Sequence, residues 1–307
     1  MDQGAYMTER ADSWRNSAWR PYLNEVVLAG RKVHYLDIGA GPAVVLVHGL
    51  AAAWSVWFRN VRALADDHRV IAVDLPGFGE SAGLGGRVAI RHYVAVLGRL
   101  LDRLEVEDVR IVGHSLGGVI ARNFATWQKD RTSALVLVAS GGPPRLAHEL
   151  VLIGLAVGGT AMNRGAGPVL VPALRTGMSV APLRRFLLSR IVHDPAVVSR
   201  ELAAEMVSVG VRSPGTAAAL RAAFREIRRH DAGSITCPTL IVGGGRDRLV
   251  PVASLEDVAD AIPGARWEIM PDAGHHPMFE QPEVFNALLI EFLAEVRSLD
   301  EKYQEEK

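Results

Sequence analysis

The sequence contains little of what marks a secreted, membrane-spanning or nucleic-acid-binding protein. Its single cysteine, Cys237, excludes an internal disulfide. The 34 lysines and arginines equal the 34 aspartates and glutamates, so there is no excess of basic residues of the kind that binds nucleic acid. No apolar run reaches the length of a membrane span, and the N-terminal residues lack the apolar core of a signal peptide. These absences predict a soluble, cytoplasmic protein with no membrane span and no nucleic-acid partner.

Sequence motifs for cofactors and metals are also missing. The segment 77–82 follows a strand pattern and nearly fits the dinucleotide-binding fingerprint, but further glycines follow it where a helix is required. His275 and His276 are adjacent, yet no carboxylate or further histidine stands at the spacing of a metal site. We therefore expect no cofactor and no bound metal.

Strand and helix patterns alternate along most of the chain. Its 307 residues, 49% of them apolar, suit one large α/β domain with an insertion, or two ordinary domains. This alternation predicts a mostly parallel, doubly wound sheet with helices on both faces. It breaks after residue 140 and resumes near residue 234, which predicts an insertion between these positions. The predicted divisions are an N-terminal extension at 1–22, a core at 23–140 and 234–299, a helical insertion at 141–233, and a charged tail at 300–307.

The predicted insertion contains only helical or irregular patterns. Asp194-Pro195 and Ser213-Pro214 each have the residues of an N-cap followed by a first-turn proline. The stretches 150–161 and 165–171 are rich in valine, leucine, alanine and glycine. Ligands of open parallel sheets bind beyond the carboxyl ends of the strands, and the insertion leaves from such an end. We expect it to form an apolar-lined lid over the site.

The most informative stretch is an apolar strand pattern that runs into Gly113-His114-Ser115-Leu116-Gly117. A helical stripe follows at once, so the serine falls on a sharp turn between strand and helix. Such a turn presents the hydroxyl above the sheet and needs glycines, because side chains at Gly113 or Gly117 would crowd the neighbouring strand and helix. The amide of Leu116 then lies at a helix N-terminus, where negative charge is stabilised. Ser115 is the candidate nucleophile, and a serine that only caps the helix is the alternative.

A serine nucleophile needs a base, and the base needs a carboxylate that orients it. Asp247 follows a late strand pattern, and the adjacent His275 and His276 follow the last one. The order serine, aspartate, histidine is the one that accompanies this type of serine turn. The residues alone leave two choices open. Only one of the two histidines can be the base, and Asp272 could replace Asp247 as the acid, although its position suits a turn residue.

Several motifs, in the same order along the chain, make this sequence resemble the α/β-hydrolase fold superfamily, in the branch with a serine nucleophile. The resemblance covers nearly everything from about residue 23 to residue 296. The motifs are Val-His-Gly-Leu at 47–50, Asp-Leu-Pro-Gly-Phe-Gly-Glu-Ser at 74–81, Gly-His-Ser-Leu-Gly-Gly at 113–118, and the segments 237–243, 245–251 and 274–282.

The resemblance implies roles for individual residues. It implies Ser115 as nucleophile, Asp247 as acid and His275 as base. The choice of His275 follows because the base of similar proteins is the first histidine of the motif at 274–282. It also implies that the backbone amides of Leu50 and Leu116 form the oxyanion hole.

Other positions in the same motifs are expected to have lesser or different roles. Ala51 is a weaker candidate for the first oxyanion amide. In similar proteins the residues that correspond to His48, the Asp74 turn and Cys237-Pro238 are structural.

The resemblance implies a hydrolase, and the identity of the nucleophile restricts which classes of hydrolase fit. Serine at this position argues against haloalkane dehalogenases and epoxide hydrolases, which carry aspartate there. We expect a serine hydrolase that cleaves a small-molecule carboxylic ester with an apolar acyl or alcohol part, acting as a monomer or homodimer.

Two alternatives to ester hydrolysis stay open. The first is a carbon–carbon bond hydrolase of ring-cleavage products, whose substrate carboxylate would need a cation from the insertion. The second is a ligand-sensing receptor of this fold with little turnover. For the first alternative, the residues that could supply the cation are Arg145, Arg164, Arg175, Arg184, Arg185 and Arg190.

Overall fold

A computed structural model describes residues 17–141, 167–227 and 234–305. Eight strands form one sheet in the order β1-β2-β4-β3-β5-β6-β7-β8. The β1–β2 and β2–β4 pairs are antiparallel, and every other pair is parallel, which confirms the predicted fold class. The strands are β1 (Leu23–Leu28), β2 (Arg31–Ile38), β3 (Ala43–Val47), β4 (Arg69–Val73), β5 (Val109–His114), β6 (Thr132–Val138), β7 (Thr239–Gly244) and β8 (Arg266–Met270).

Helices cover both faces of the sheet. They are α1 (Val61–Ala65), α2 (Ile90–Arg103), α3 (Leu116–Trp127), α4 (Gly167–Gly177), α5 (Ala181–Leu188), α6 (Arg200–Val211), α7 (Thr216–Ile227), α8 (Val252–Ala261), α9 (Pro277–Glu280) and α10 (Pro282–Glu305). Short 3-10 segments occur at Ser17–Tyr22, Trp54–Trp57, Lys129–Arg131 and Pro195–Val197.

The central strand β3 shows why its sequence is apolar throughout. Successive side chains of a strand point to opposite faces, and here both faces are covered. Val45 and Val47 pack into the cluster that includes α2 and α3. Val44 and Leu46 pack into a second cluster, which includes α1 and α10. All four side chains are fully buried, so a polar residue on either face of β3 would be destabilising.

The two ends of the described core differ from the expected boundaries. Trp19, in the expected extension, is only 4% exposed, and its ring lies 5.6 Å from that of Trp54. Trp19 therefore belongs to the core, and Tyr22 packs against the same cluster. Helix α10 continues to Glu305, so residues 300–305, expected to form a charged tail, are helical.

The described residues between β6 and β7 are helical, and one of the two predicted caps is present. Asp194 Oδ1 accepts a hydrogen bond from the amide of Ala196 at 2.8 Å, as expected of an N-cap. The prediction at Ser213 was wrong. The next helix begins at Thr216, and the Ser213 hydroxyl donates back to the Val209 carbonyl of α6 at 2.8 Å. The apolar stretch 150–161 lies outside the described residues.

The topology brings the predicted site loops to one edge of the sheet. Leu50 follows β3, Ser115 follows β5, Asp247 follows β7 and His275 follows β8. These strands are parallel, so their carboxyl ends meet at the same edge, where ligands of such sheets bind.

Candidate active site

Ser115 lies on the sharp turn between β5 and α3. Its backbone has φ 51° and ψ −115°, a conformation that is strained for a residue with a side chain. A Cβ at Gly113 would collide with the carbonyl of Gly117, and a Cβ at Gly117 would collide with the carbonyl of Val47. The two glycines are therefore required by close backbone approach, which confirms the reason given for them from the sequence.

Hydrogen bonds hold the strained turn in place. The Ser115 amide donates to the Val138 carbonyl at 2.9 Å, and the Ser115 carbonyl accepts from the Ser140 hydroxyl at 2.9 Å. Ser140 is the second residue after β6 and is 5% exposed. The sequence analysis gave it no role, although it stands at the carboxyl end of a strand, where site residues collect.

Ser115 lines a cavity of about 90 Å³. Its walls come from the segments after β3 and β6, from the turn after β5 and the start of α3, from α7, and from the segment that runs from Leu249 into α8. No described lining residue carries a charge. They are Leu50, Ser115, Leu116, Val119, Ala139, Ser140, Gly141, Leu220, Ala223, Phe224, Leu249, Val250, Pro251 and Ser254. The space next to the serine therefore suits an apolar group.

Leu50 and Leu116, the predicted oxyanion residues, border the same cavity. Within the described part of the chain, neither backbone amide donates a hydrogen bond to another group. Leu116 is the first residue of the twelve-residue helix α3, so its amide adds the partial positive charge of a helix N-terminus. Ala51, the weaker candidate, has a positive φ of 57°. The arrangement leaves two amides available beside Ser115.

Asp247 and His275 form a buried hydrogen-bonded pair. Nδ1 of His275 lies 2.8 Å from Oδ2 of Asp247, and the two side chains are 7% and 0% exposed. The other carboxylate oxygen accepts from the amides of Leu249 at 2.7 Å and Val250 at 3.0 Å. An ionised carboxylate only accepts hydrogen bonds, so Nδ1 carries the proton and Nε2 keeps its lone pair. This is the tautomer that a general base requires.

His114 joins the histidine loop to the strand that ends at Ser115. Its Nε2 donates to the carbonyl of His275 at 2.8 Å, and the ring centroids of the two residues are 4.9 Å apart. Burial, together with the nearby imidazoles of His276 and His275, holds the pKa of His114 well below its ordinary value. A neutral His114 therefore fixes His275 relative to Ser115, a role that the sequence analysis did not predict.

The sequence left open which of two histidines and which of two aspartates form a pair, and the structure shows which two do. His276 bonds through Nδ1 to the Ile191 carbonyl at 3.2 Å, whereas the bond to Asp247 is made by His275. Burial, reinforced by the His275 ring, lowers the pKa of His276 to about 4. Asp272 is exposed, and its carbonyl accepts a long bond from Gln281. Asp247 and His275 are the two that the fold brings together.

Glu280 anchors the histidine loop. One carboxylate oxygen accepts from the amides of Gly274 at 3.0 Å and His276 at 3.2 Å, and the other accepts from the His193 amide at 2.6 Å. Burial raises the pKa of Glu280 despite these bonds. Glu280 lies in the motif at 274–282, so the sequence offered a signal that this residue matters. Its bond to the His193 amide joins residues far apart in the chain, which a local pattern does not predict.

The remaining motif residues are scaffolding, as the resemblance implied. Nε2 of His48 accepts from the Leu75 amide at 3.0 Å, which joins the two loops after β3 and β4. The buried carboxylate of Asp74 accepts from the amides of Trp54 and Glu80. Burial raises the pKa of the Cys237 thiol to about 11, so this thiol stays protonated and unreactive at neutral pH.

The described residues contain neither a metal-binding cluster nor a membrane-spanning helix. No group of three or more histidine, cysteine, aspartate and glutamate side chains is arranged to hold a metal ion in this part of the chain. No helix among the same residues combines the length and apolar character needed to cross a membrane.

Comparison with known proteins points to one family. A family model described as the alpha/beta hydrolase fold matches residues 42–282. A dihydrolipoyllysine-residue acetyltransferase component of the acetoin cleaving system from Pseudomonas putida is 30% identical, with the match covering 92% of this chain and 72% of that protein.

Two further similar proteins are named as a hydrolase and as an esterase. A 2-hydroxy-6-oxononadienedioate/2-hydroxy-6-oxononatrienedioate hydrolase from Cupriavidus pinatubonensis is 30% identical over 85% of this chain and 90% of its own length. The solved structure of a thermophilic esterase from Thermogutta terrifontis superposes with a TM-score of 0.70 at 26% identity, covering 89% of this chain and 98% of the other.

Proposed function

Because the chain belongs to the α/β hydrolase fold family, we propose that it hydrolyses carboxylic esters with an apolar acyl or alcohol part, through an acyl-enzyme on Ser115. The observation that carries this proposal is the uncharged cavity beside the serine. An ester needs apolar walls and two hydrogen-bond donors for its carbonyl oxygen, and the surroundings of Ser115 offer both. The similar solved esterase adds support.

In the proposed mechanism, Nε2 of His275 takes the hydroxyl proton of Ser115 while Oγ attacks the ester carbonyl carbon. The amides of Leu50 and Leu116 stabilise the oxyanion. The C–O bond to the alcohol then breaks, and the alcohol leaves with the proton held by His275. Asp247 keeps the imidazole in the required tautomer and stabilises its charged form.

The second half of the reaction repeats these steps with water. His275 removes a proton from a water molecule, which attacks the acyl carbon bound to Ser115. The carboxylic acid departs, and Oγ regains its proton from His275. Losing one oxyanion donor is expected to lower the rate by on the order of 10² to 10³.

We propose that the helical insertion, predicted at 141–233, acts as a lid on this site. Helix α7 contributes Leu220, Ala223 and Phe224 to the cavity wall. The segment after α5 is bonded to the histidine loop, since the His275 amide donates to the Ile191 carbonyl at 3.1 Å. A lid of this kind shields the site from bulk water and contributes part of the apolar surface that a substrate would contact.

Cleavage of a carbon–carbon bond in a ring-cleavage product is the second candidate, because a relative at 30% identity is named as a hydrolase of 2-hydroxy-6-oxononadienedioate and 2-hydroxy-6-oxononatrienedioate. That substrate carries carboxylates, which require a cation in the site. Of the six arginines considered, Arg145 and Arg164 lie outside the described residues. Arg175, Arg185 and Arg190 are exposed, and Arg184 donates to the Met178 carbonyl. None of these four lines the cavity, which favours the ester.

One comparison of substrates tests the choice. The turnover of p-nitrophenyl esters of increasing acyl length is measured beside that of a ring-cleavage dienoate. We expect ester turnover to exceed dienoate turnover and to depend on acyl length, because the cavity is small and uncharged. A higher specificity for the dienoate would contradict ester hydrolysis. Stoichiometric labelling of Ser115 by a fluorophosphonate, with no multiple turnover of any substrate, would indicate the receptor.

A further inference from the structure

Helix α5 carries an apolar surface that no other described element covers. Val180, Leu183, Phe186 and Leu187 are 53%, 42%, 64% and 40% exposed, and we call these four residues the α5 patch. The only buried large side chain of the helix is Leu188, at 3%. The other large exposed apolar residues of the described chain are scattered over separate elements, as is usual for a surface.

The segment that carries the α5 patch is basic, and the first acidic residue after it is the exposed Asp194. Residues 167–193 contain four arginines and no aspartate or glutamate, although the 34 basic and 34 acidic residues of the whole chain balance. Arg175, Arg185 and Arg190 are exposed. Arg184 is half-buried and donates to the carbonyl of Met178 at 2.8 Å, which holds its charge close to the helix. An apolar face with arginines beside it is the pattern of a helix that lies on an anionic lipid surface.

The α5 patch is fixed next to the candidate active site. Arg248, the residue after Asp247, donates to the Ser189 carbonyl at 3.2 Å. Two residues further along, the Ile191 carbonyl accepts from the His275 amide at 3.1 Å. The C-terminal end of α5 is therefore bonded to both loops that carry the Asp247–His275 pair, while the apolar face of the helix points outward.

We propose that the α5 patch is a docking surface for an anionic lipid membrane. The apolar side chains enter the boundary between headgroups and acyl chains, and the exposed arginines contact the lipid phosphates. The helix has eight residues, about 12 Å, so it lies along the surface and does not cross the bilayer. Charge decides against a second copy of the chain as the occupant, because a twofold contact would place the same arginines against one another.

Sedimentation with lipid vesicles tests the proposal. The full chain is mixed with vesicles of phosphatidylcholine alone, or of phosphatidylcholine with phosphatidylglycerol, and the bound fraction is measured at low and high salt. We expect binding to the anionic vesicles only, with a loss of binding at high salt. Phe186→Ser combined with Leu187→Ser should lower the partition coefficient by at least about tenfold. Arg185→Gln combined with Arg190→Gln should lower it by about tenfold or more.

Matched controls separate the patch from a general effect of the substitutions. Val284→Ser removes a side chain that is 57% exposed on α10, and Arg91→Gln with Arg99→Gln removes two exposed charges on α2. We expect both controls to bind like the wild type. Equal binding by the patch variants, or no binding of the wild type to anionic vesicles, would overturn the proposal. A wild-type dimer that Phe186→Ser converts to a monomer would assign the patch to a second copy and would also overturn it.

The test is independent of the proposed reaction. Vesicle binding is measured with Ser115→Ala as well as with the wild type, and we expect the same partition coefficient for both. Membrane docking can therefore fail while ester hydrolysis stands, and ester hydrolysis can fail while the docking result stands.

Discussion

The described part of the chain contains two buried histidine–aspartate pairs with the same distance between ring nitrogen and carboxylate oxygen. Nδ1 lies 2.8 Å from Oδ2 both in the pair of His34 with Asp74 and in the pair of His275 with Asp247. In both pairs the carboxylate also accepts two backbone amides. The first pair even has a serine beside it, Ser81. Distance and burial of the pair therefore do not distinguish a scaffold from a candidate active site.

The two histidine–aspartate pairs differ in the serine that accompanies each of them. The Ser81 hydroxyl is fully used, because it donates to the Asp74 carbonyl at 2.7 Å and accepts from the His34 amide at 2.8 Å. Ser115 instead stands on a strained turn beside a cavity that is also lined by Leu50 and Leu116, whose amides have no hydrogen-bond acceptor among the described residues. A histidine–aspartate pair becomes chemically useful only where a hydroxyl is held free of the main chain and open to a ligand.

Replacing each serine by alanine gives the largest expected contrast. Ser115→Ala should lower the kcat for a p-nitrophenyl ester by at least about 10⁴-fold, since it removes the proposed nucleophile. Ser81→Ala should leave kcat within about threefold. It should lower the free energy of unfolding by about 1–3 kcal/mol, because the buried His34 amide loses its acceptor. Initial rates and urea denaturation measure the two effects. Equal losses of activity in the two variants would contradict the distinction between the Ser81 and Ser115 sites.

The aspartates extend the same contrast. Asp247→Asn should reduce kcat by about 10⁴-fold, the size of the effect in a serine-protease triad, since the amide no longer selects the tautomer of His275. Asp74→Asn should act on stability, because the amide group meets donors that need an acceptor. Thermal denaturation of both variants is the control for folding. A folded Asp247→Asn protein with full activity would exclude Asp247 as the acid.

His276 makes the candidate site sensitive to pH in a way that can be isolated. Its pKa is about 4 in the folded protein, against about 6.5 when unfolded, so between these values only the unfolded chain binds the proton. The stability from this group is complete above about pH 6.5 and falls by up to about 3 kcal/mol as the pH drops to about 4. His276→Gln should flatten that part of the stability profile, measured by denaturation at each pH. Parallel profiles would contradict a buried neutral His276.

Ser140→Ala is expected to have the smallest effect and sharpens the contrast with Ser81. The Ser115 carbonyl that Ser140 contacts also accepts from the amides of Gly118 at 3.0 Å and Val119 at 3.2 Å. No backbone group is left unpaired by the substitution, so we expect a loss of about 0.5–1.5 kcal/mol in unfolding free energy. The kcat should fall by less than about tenfold. A larger loss of kcat without a loss of stability would show that Ser140 positions Ser115 more strictly than this.

Much of the fold was predictable because the signals are local. The alternation of apolar runs and helical stripes predicted the strands that lead to Ser115 and Asp247, and the glycines around the serine predicted its turn. The N-cap at Asp194 was predicted from two adjacent residues. The cap at Ser213 was not formed, because its hydroxyl bonds back to the preceding helix, and a sequence pattern cannot tell a residue that starts a helix from one that ends the previous helix.

The contacts that the sequence analysis missed are long-range. His114 and the carbonyl of His275 are 161 positions apart, and the Glu280 carboxylate reaches His193 over 87 positions. The outward face of α5 was missed for the same reason, since exposure depends on which neighbours the fold supplies. None of these features alters the local pattern of its own segment.

By itself, the sequence determined the mostly parallel sheet, the serine turn and the loops that follow the strands, because apolar periodicity and obligatory glycines act over a few residues. Resemblance to a family then assigned roles to Ser115, Asp247 and His275. Only the tertiary structure decided that Asp247 and not Asp272 meets His275, that His276 turns to the insertion, and that α5 faces outward. Each of these depends on the packing of segments far apart in the chain, which places one of two chemically equal side chains within hydrogen-bond distance and leaves the other out.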